Sequence, residues 1–121
     1  MDADPRSFDA LVAAVRRFRD ERDWARFHNP KDLAVSVAIE AAELLEQFQW
    51  RDADAVAAHL ADPEGRRAVA DEVADVLLLL VSLGDASGID LLEAARAKLA
   101  QNAAKYPVEK ARGRADKYDR L

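Results

Sequence analysis

The chain has no cysteine, which excludes disulfides and thiolate metal sites and leaves the redox compartment open. Glycine and proline number only four each, as suits a helix-forming mixture, and no glycine-rich phosphate loop occurs. A Ser/His/Asp arrangement and a CxxC pair are also missing. The longest apolar run, Val76 to Val81, is far too short to cross a bilayer. Met1 to Arg6 show no basic stretch followed by an apolar core, so no secretory signal is read and the cytoplasm is the expected compartment. A net charge of −5 argues against nucleic acid and anionic membrane as partners.

What remains is a helix-forming mixture. Half of the 121 residues are apolar and 34% are charged, with alanine and leucine prominent, as suits one globular domain over residues 1–121. Asp4-Pro5 resembles an N-cap followed by proline at the first helical position. Phe8, Leu11, Val12, Val15 and Phe18 then repeat at helical spacing to about Asp23. Trp24 to Pro30 interrupt the pattern and read as an ordered loop. A second helix is expected from about Lys31 to Trp50, and a short one from about Ala53 to Leu60 within a connection. A third spans about Gly65 to Leu83, stopping near Gly84 and Gly88; a fourth, capped by Asp90, runs from Leu91 to Tyr106 and ends at Pro107. Residues 108–121 form a charged tail without a clear apolar period, outside a core of about 5–107. Long helices and short connections predict an all-α, antiparallel four-helix bundle. Val73 to Leu83 is apolar nearly all round apart from Asp75 and Ser82, so an oligomer is expected to supply the missing cover.

Chemistry concentrates in two acidic pairs, Glu40-Ala-Ala-Glu43 and Glu72-Val-Ala-Asp75. Residues three apart share a helix face, so each pair presents two carboxylates together inside an apolar stretch. Should the two faces meet, their mutual repulsion calls for a hard cation with oxygen ligands, Mg²⁺ first. The bland alternative is a pair of solvated helix faces, where such spacings are common. A di-iron carboxylate site needs Glu-x-x-His motifs, and neither His28 nor His59 supplies one. Gln47 and Trp50 extend the first stripe and Leu79 the second; Lys98, Asn102 and Lys105, with Tyr106 beside them, line up on the fourth helix. Trp24, Phe27, Phe48 and Trp50 are candidates either for stacking on a nucleobase or for core packing. His28 is either a phosphate or base contact or a hydrogen-bonded loop residue, and His59 reads as surface.

In order, Arg22-Asp-Trp-Ala-Arg-Phe-His-Asn-Pro30, Glu40-Ala-Ala-Glu-Leu-Leu-Glu-Gln-Phe-Gln-Trp50, Asp71-Glu-Val-Ala-Asp75 and Lys98-Leu-Ala-Gln-Asn-Ala-Ala-Lys-Tyr-Pro107 resemble the all-α nucleoside triphosphate pyrophosphohydrolases of the MazG type. Within them the chain is most similar to the dCTP pyrophosphatase branch, from about Phe8 to Tyr118. The resemblance implies a homo-oligomer, a dimer or a tetramer built as a dimer of dimers, that cleaves a nucleoside triphosphate between its α- and β-phosphates. It implies Mg²⁺, or Mn²⁺, held by Glu40, Glu43, Glu72 and Asp75. Sequence does not separate a ligand from a base, and Glu40 or Glu43 is the expected base. Trp24, Phe27, His28 and Trp50 match the substrate-contacting positions; Lys98, Asn102, Lys105 and Tyr106 match a polar stripe near the phosphates or pocket wall. Leu79 departs from the pattern, standing where that branch places a tyrosine, which puts strict base choice in doubt; dCTP and modified cytosine deoxynucleotides are the first expected substrates, with broader deoxynucleotide hydrolysis next. Other nucleotide substrates, such as dUTP or phosphoribosyl-ATP, and a non-catalytic helical module are the competing expectations.

Overall fold

The structure, a computed structural model, describes residues 6–121. Asp4 and Pro5, expected to open the first helix, lie outside those residues. The described chain is all-helical with no strand. Helices are α1 (Phe8–Glu21), α2 (Pro30–Glu46), α3 (Ala53–Ala61), α4 (Pro63–Ser87), α5 (Leu91–Lys105) and α6 (Val108–Ala111), with single 3₁₀ turns at Ala25–Phe27 and Tyr118–Arg120. None is long and apolar enough to cross a membrane.

Helix starts follow from side-chain caps. Ser7, Asn29, Asp52, Asp62 and Asp90 each accept a hydrogen bond from the backbone N–H three residues on, at 2.9–3.1 Å. Each such cap is worth about 1 kcal/mol. Pro30 and Pro63 follow two of them, where a missing N–H costs nothing. Gly88, left-handed at φ 68°, ends α4, as its lack of a Cβ allows.

Three expected boundaries are corrected. The second helix ends at Glu46, not Trp50: the N–H groups of Gln47 and Phe48 turn to carbonyls only three residues back, and Trp50 is left-handed at φ 67°. The Arg51 guanidinium donates to the Gln47 carbonyl and closes this turn. The third expected helix begins at Pro63 under the Asp62 cap and continues to Ser87. Gly84 is therefore interior and buried rather than a stop.

The chain forms two compact units, one ending at Gly88 and one comprising Ile89–Leu121. In the first, α2 lies along α4, and α1 and α3 also pack on α4. Only Leu33 and Val81 are buried large apolar side chains among the described residues. Ile39 and Leu45 on α2, and Val73, Leu77 and Leu78 on α4, remain exposed. In the second unit, the charged tail makes a helical turn and folds back: the Tyr118 ring meets Tyr106 edge-on at 6.2 Å, with Lys105 Nζ 5.0 Å above it.

Candidate metal centre and adjoining slot

Because α2 and α4 run against each other, their acidic pairs meet. One carboxylate oxygen each from Glu40, Glu43 and Glu72 lies within 4.8 Å of the others. Asp75 is outside that trio but close enough for its charge to act on Glu40 and Glu72. Among the described residues no arginine or lysine forms an ion pair with any of the four. One oxygen of Glu40 and one of Glu72 are buried with no hydrogen-bond partner.

The electrostatic consequence is visible in proton affinity. Burial first, then the Glu43 carboxyl and the charges of Asp75 and Glu72, push Glu40 up to about 7. Burial and the charges of Glu43 and Asp75 also raise Glu72. Converging acids with orphaned buried oxygens fit a hard divalent cation, whose charge would reverse this balance. Carboxylate oxygens are what Mg²⁺ selects, and the trio consists of carboxylates alone.

Next to the acids opens a slot of about 530 Å³. Leu11, Ala14, Val15, Phe18 and Arg19 of α1 line it, as do Trp24 and His28, while Leu78, Leu79 and Ser82 of α4 complete it around Glu40 and Asp75. Trp24 is placed by its N–H, which donates to the Arg19 carbonyl at 3.0 Å, and by an edge contact with Phe18 at 5.7 Å. The His28 ring is 6.4 Å from that of Trp24, and its Nδ1 is buried without a partner. The lining is thus apolar and aromatic, with a few polar atoms free to read a ligand.

Of the sequence-derived candidates, Trp24, His28, Glu40, Asp75 and Leu79 share the slot, and Glu43 and Glu72 join Glu40 in the acid trio. Phe27 does not line the slot; it is 62% exposed with Arg26 stacked over its ring. Trp50 leaves its helical stripe and stands 93% exposed, because the helix has already ended. Gln47 instead pairs with His59, Oε1 to Nε2 at 3.1 Å, so His59 is a half-buried structural residue rather than a surface one. Lys98, Asn102 and Lys105 lie on exposed positions of α5 and Tyr106 just after it, in the second unit. Sequence reasoning missed the α1 wall as slot lining. Its period marked Leu11, Val15 and Phe18 as apolar, but nothing distinguished a pocket from a core.

The model of the MazG-like family matches residues 35–121. The chain is 38% identical to dCTP pyrophosphatase 1 of Bos taurus over 119 residues, covering 95% of this chain and 70% of that protein. With dCTP pyrophosphatase 1 of Mus musculus it shares 38% identity over 104 residues, 86% of this chain and 61% of that one. The crystal structure of a pyrophosphatase from Archaeoglobus fulgidus DSM 4304 superposes with a TM-score of 0.77 at 42% identity, covering 88% of this chain and 98% of that one.

Proposed function

We propose that this chain, which belongs to the MazG-like family and is a nucleotide pyrophosphohydrolase, acts with Mg²⁺ on a deoxynucleoside triphosphate, dCTP or a modified dCTP first. The observation that carries the metal reading is the trio of Glu40, Glu43 and Glu72 oxygens within 4.8 Å, two of those residues having an orphaned buried oxygen. Glu40, Glu43 and Glu72 would hold Mg²⁺, or Mn²⁺, with Asp75 completing the set. Bound there, the ion would offset charge on the phosphates and on the departing pyrophosphate.

The chain's own residues do the rest. Glu40 or Glu43 accepts a proton from the attacking water and directs it at the α-phosphorus. The bond from that phosphorus to the α–β bridging oxygen breaks, giving a nucleoside monophosphate and pyrophosphate. Trp24 offers an aromatic face to the base, and the free Nδ1 of His28 a hydrogen-bonding partner. Trp50 and Phe27, outside the slot lining, and Lys98, Asn102, Lys105 and Tyr106, in the second unit, are proposed as substrate contacts on the family likeness alone. Leu79 in the lining offers no hydrogen bond, which favours a base choice broader than dCTP alone.

The working form in this reading is a homo-oligomer, a dimer or tetramer of helical bundles. Val73 and Leu77 on α4 are 49% and 43% exposed, and leaving such side chains in water forfeits about 25 cal/mol per Å² of coverable apolar surface.

A panel of nucleoside triphosphates with Mg²⁺, scored for pyrophosphate release, tests the reading. Turnover of dCTP and its modified forms, followed by other deoxynucleotides, is expected. No pyrophosphate from any nucleotide would refute it.

A further inference from the structure

The walls of the slot are unequally secured. The metal-site acids and one wall come from α2 and α4, which lie along each other. The other wall is α1, which has no buried residue and whose Phe18 is 51% exposed. Apolar packing alone gives α1 little purchase. Among the described residues, the side-chain hydrogen bonds that tie it to α4 converge on one carboxylate: Asp85, one helical turn beyond Ser82. Its Oδ1 accepts from Arg16 Nε at 2.6 Å and its Oδ2 from Arg19 Nη1 at 2.5 Å, so both oxygens grip α1.

Burial would raise the Asp85 carboxyl, but hydrogen bonds and charge from Arg16 and Arg19 carry it below its ordinary value. The side chains of Asp85 and Arg19 are only 15% and 20% exposed, and Arg19 itself lines the slot. Partial burial of this kind makes a charge pair stiffer and less screened than a surface one. Trp24 hangs from the same helix through the Arg19 carbonyl and Phe18, so a shift of α1 carries it along.

Resting on the reading of the slot as the nucleotide's place, we propose that Asp85 is a positioning residue. By gripping Arg16 and Arg19 it sets the gap between α1 and α4, and so the fit of the nucleotide against Trp24. It touches neither metal nor phosphate. Its loss therefore weakens nucleotide binding while the Glu40–Glu43–Glu72 trio, built without α1, keeps its metal. A plain structural staple would instead lower stability and leave the kinetics alone, or degrade everything together.

The test is Asp85→Asn, with Asp85→Glu as the charge-preserving variant and Arg16→Gln, on the more exposed arm, should the first not fold. In Asp85→Asn the KM for the preferred nucleotide is expected to rise about tenfold with kcat within about twofold, the signature of lost binding rather than lost chemistry. Mg²⁺ affinity by calorimetry stays within about twofold, and hydrogen exchange quickens in Leu11–Arg19 but not in α2. Asp85→Glu recovers most of the KM defect, and Arg16→Gln shows a smaller change of the same sign. An unchanged KM, a parallel fall in kcat and Mg²⁺ affinity, or equal defects in the Asn and Glu variants would each overturn the proposal. A wild-type chain that releases no pyrophosphate marks failure of the underlying functional reading instead, and that result needs no variant.

Discussion

Magnesium affinity should vary with pH in a range where an ordinary carboxylate is indifferent. Glu40 sits at about 7 because of burial, the Glu43 carboxyl and the charges of Asp75 and Glu72. A ligand carboxyl must lose its proton before it can bind a cation. From the proton equilibrium, roughly one Glu40 in eleven is ionised at pH 6, half at pH 7 and about ten in eleven at pH 8. Apparent Mg²⁺ affinity should therefore fall about tenfold from pH 8 to pH 6, whereas a glutamate at its ordinary value would lose only about 3%. Calorimetric titration of the nucleotide-free protein at pH 6, 7 and 8, at one ionic strength, measures this directly. Glu40→Gln should flatten what residual dependence remains. An affinity constant within twofold across that range in the wild type would refute the argument that these acids crowd one another.

The same shift has a stability counterpart of definite sign. Glu40 binds its proton more tightly folded than unfolded, so between about 4.5 and 7 the native state holds a proton that the unfolded chain does not. Its contribution is full below the unfolded value and is lost as pH rises through about 7. Without metal, the melting temperature should thus decline from pH 5.5 to pH 8. Adding Mg²⁺ at pH 8 should restore it, because a ligand that binds only the native state stabilises it.

Glu40→Gln and Asp75→Asn should each cut Mg²⁺-dependent turnover at least about a hundredfold with helicity unchanged by circular dichroism, and Glu40→Gln should raise the metal-free melting temperature at pH 8. Gly65→Ala should destabilise the fold by about 2 kcal/mol and lower the melting temperature by roughly 8 °C, since the new Cβ would fall inside 3.0 Å of the His59 carbonyl and ring. Trp50→Ala should leave stability within about 0.5 kcal/mol, as the side chain is 93% exposed, yet raise the nucleotide KM.

Local rules explain which parts of this fold could be read in advance. Asp90 as a cap and Gly88 as a terminator both act within one helical turn, and both hold in the structure. The end of α2 was hidden because Gln47-Phe48-Gln49-Trp50 contains neither glycine nor proline. What stops the helix is a set of contacts: Arg51 on the Gln47 carbonyl, His59 on its side chain, and Asp52 capping α3. Gly84 misled in the opposite sense. Glycine costs about 1 kcal/mol inside a helix, but burial against neighbours outweighs such a propensity.

The site divides along the same line. Two acids three residues apart announce a shared face, and apolar neighbours announce that the face is costly to leave empty. Those facts sufficed to bring Glu40, Glu43, Glu72 and Asp75 forward as a set. They could not say that three oxygens close to 4.8 Å while Asp75 stands beside the slot, since helix separation is a tertiary quantity. The Arg16–Asp85 contact spans 69 residues and involves types that normally decorate solvated helices. No periodicity marks such a pair; only the packing of α1 on α4 does. The chemistry of the site was thus written in short-range spacing, while the fit of the slot depends on ionic contacts that only the folded chain displays.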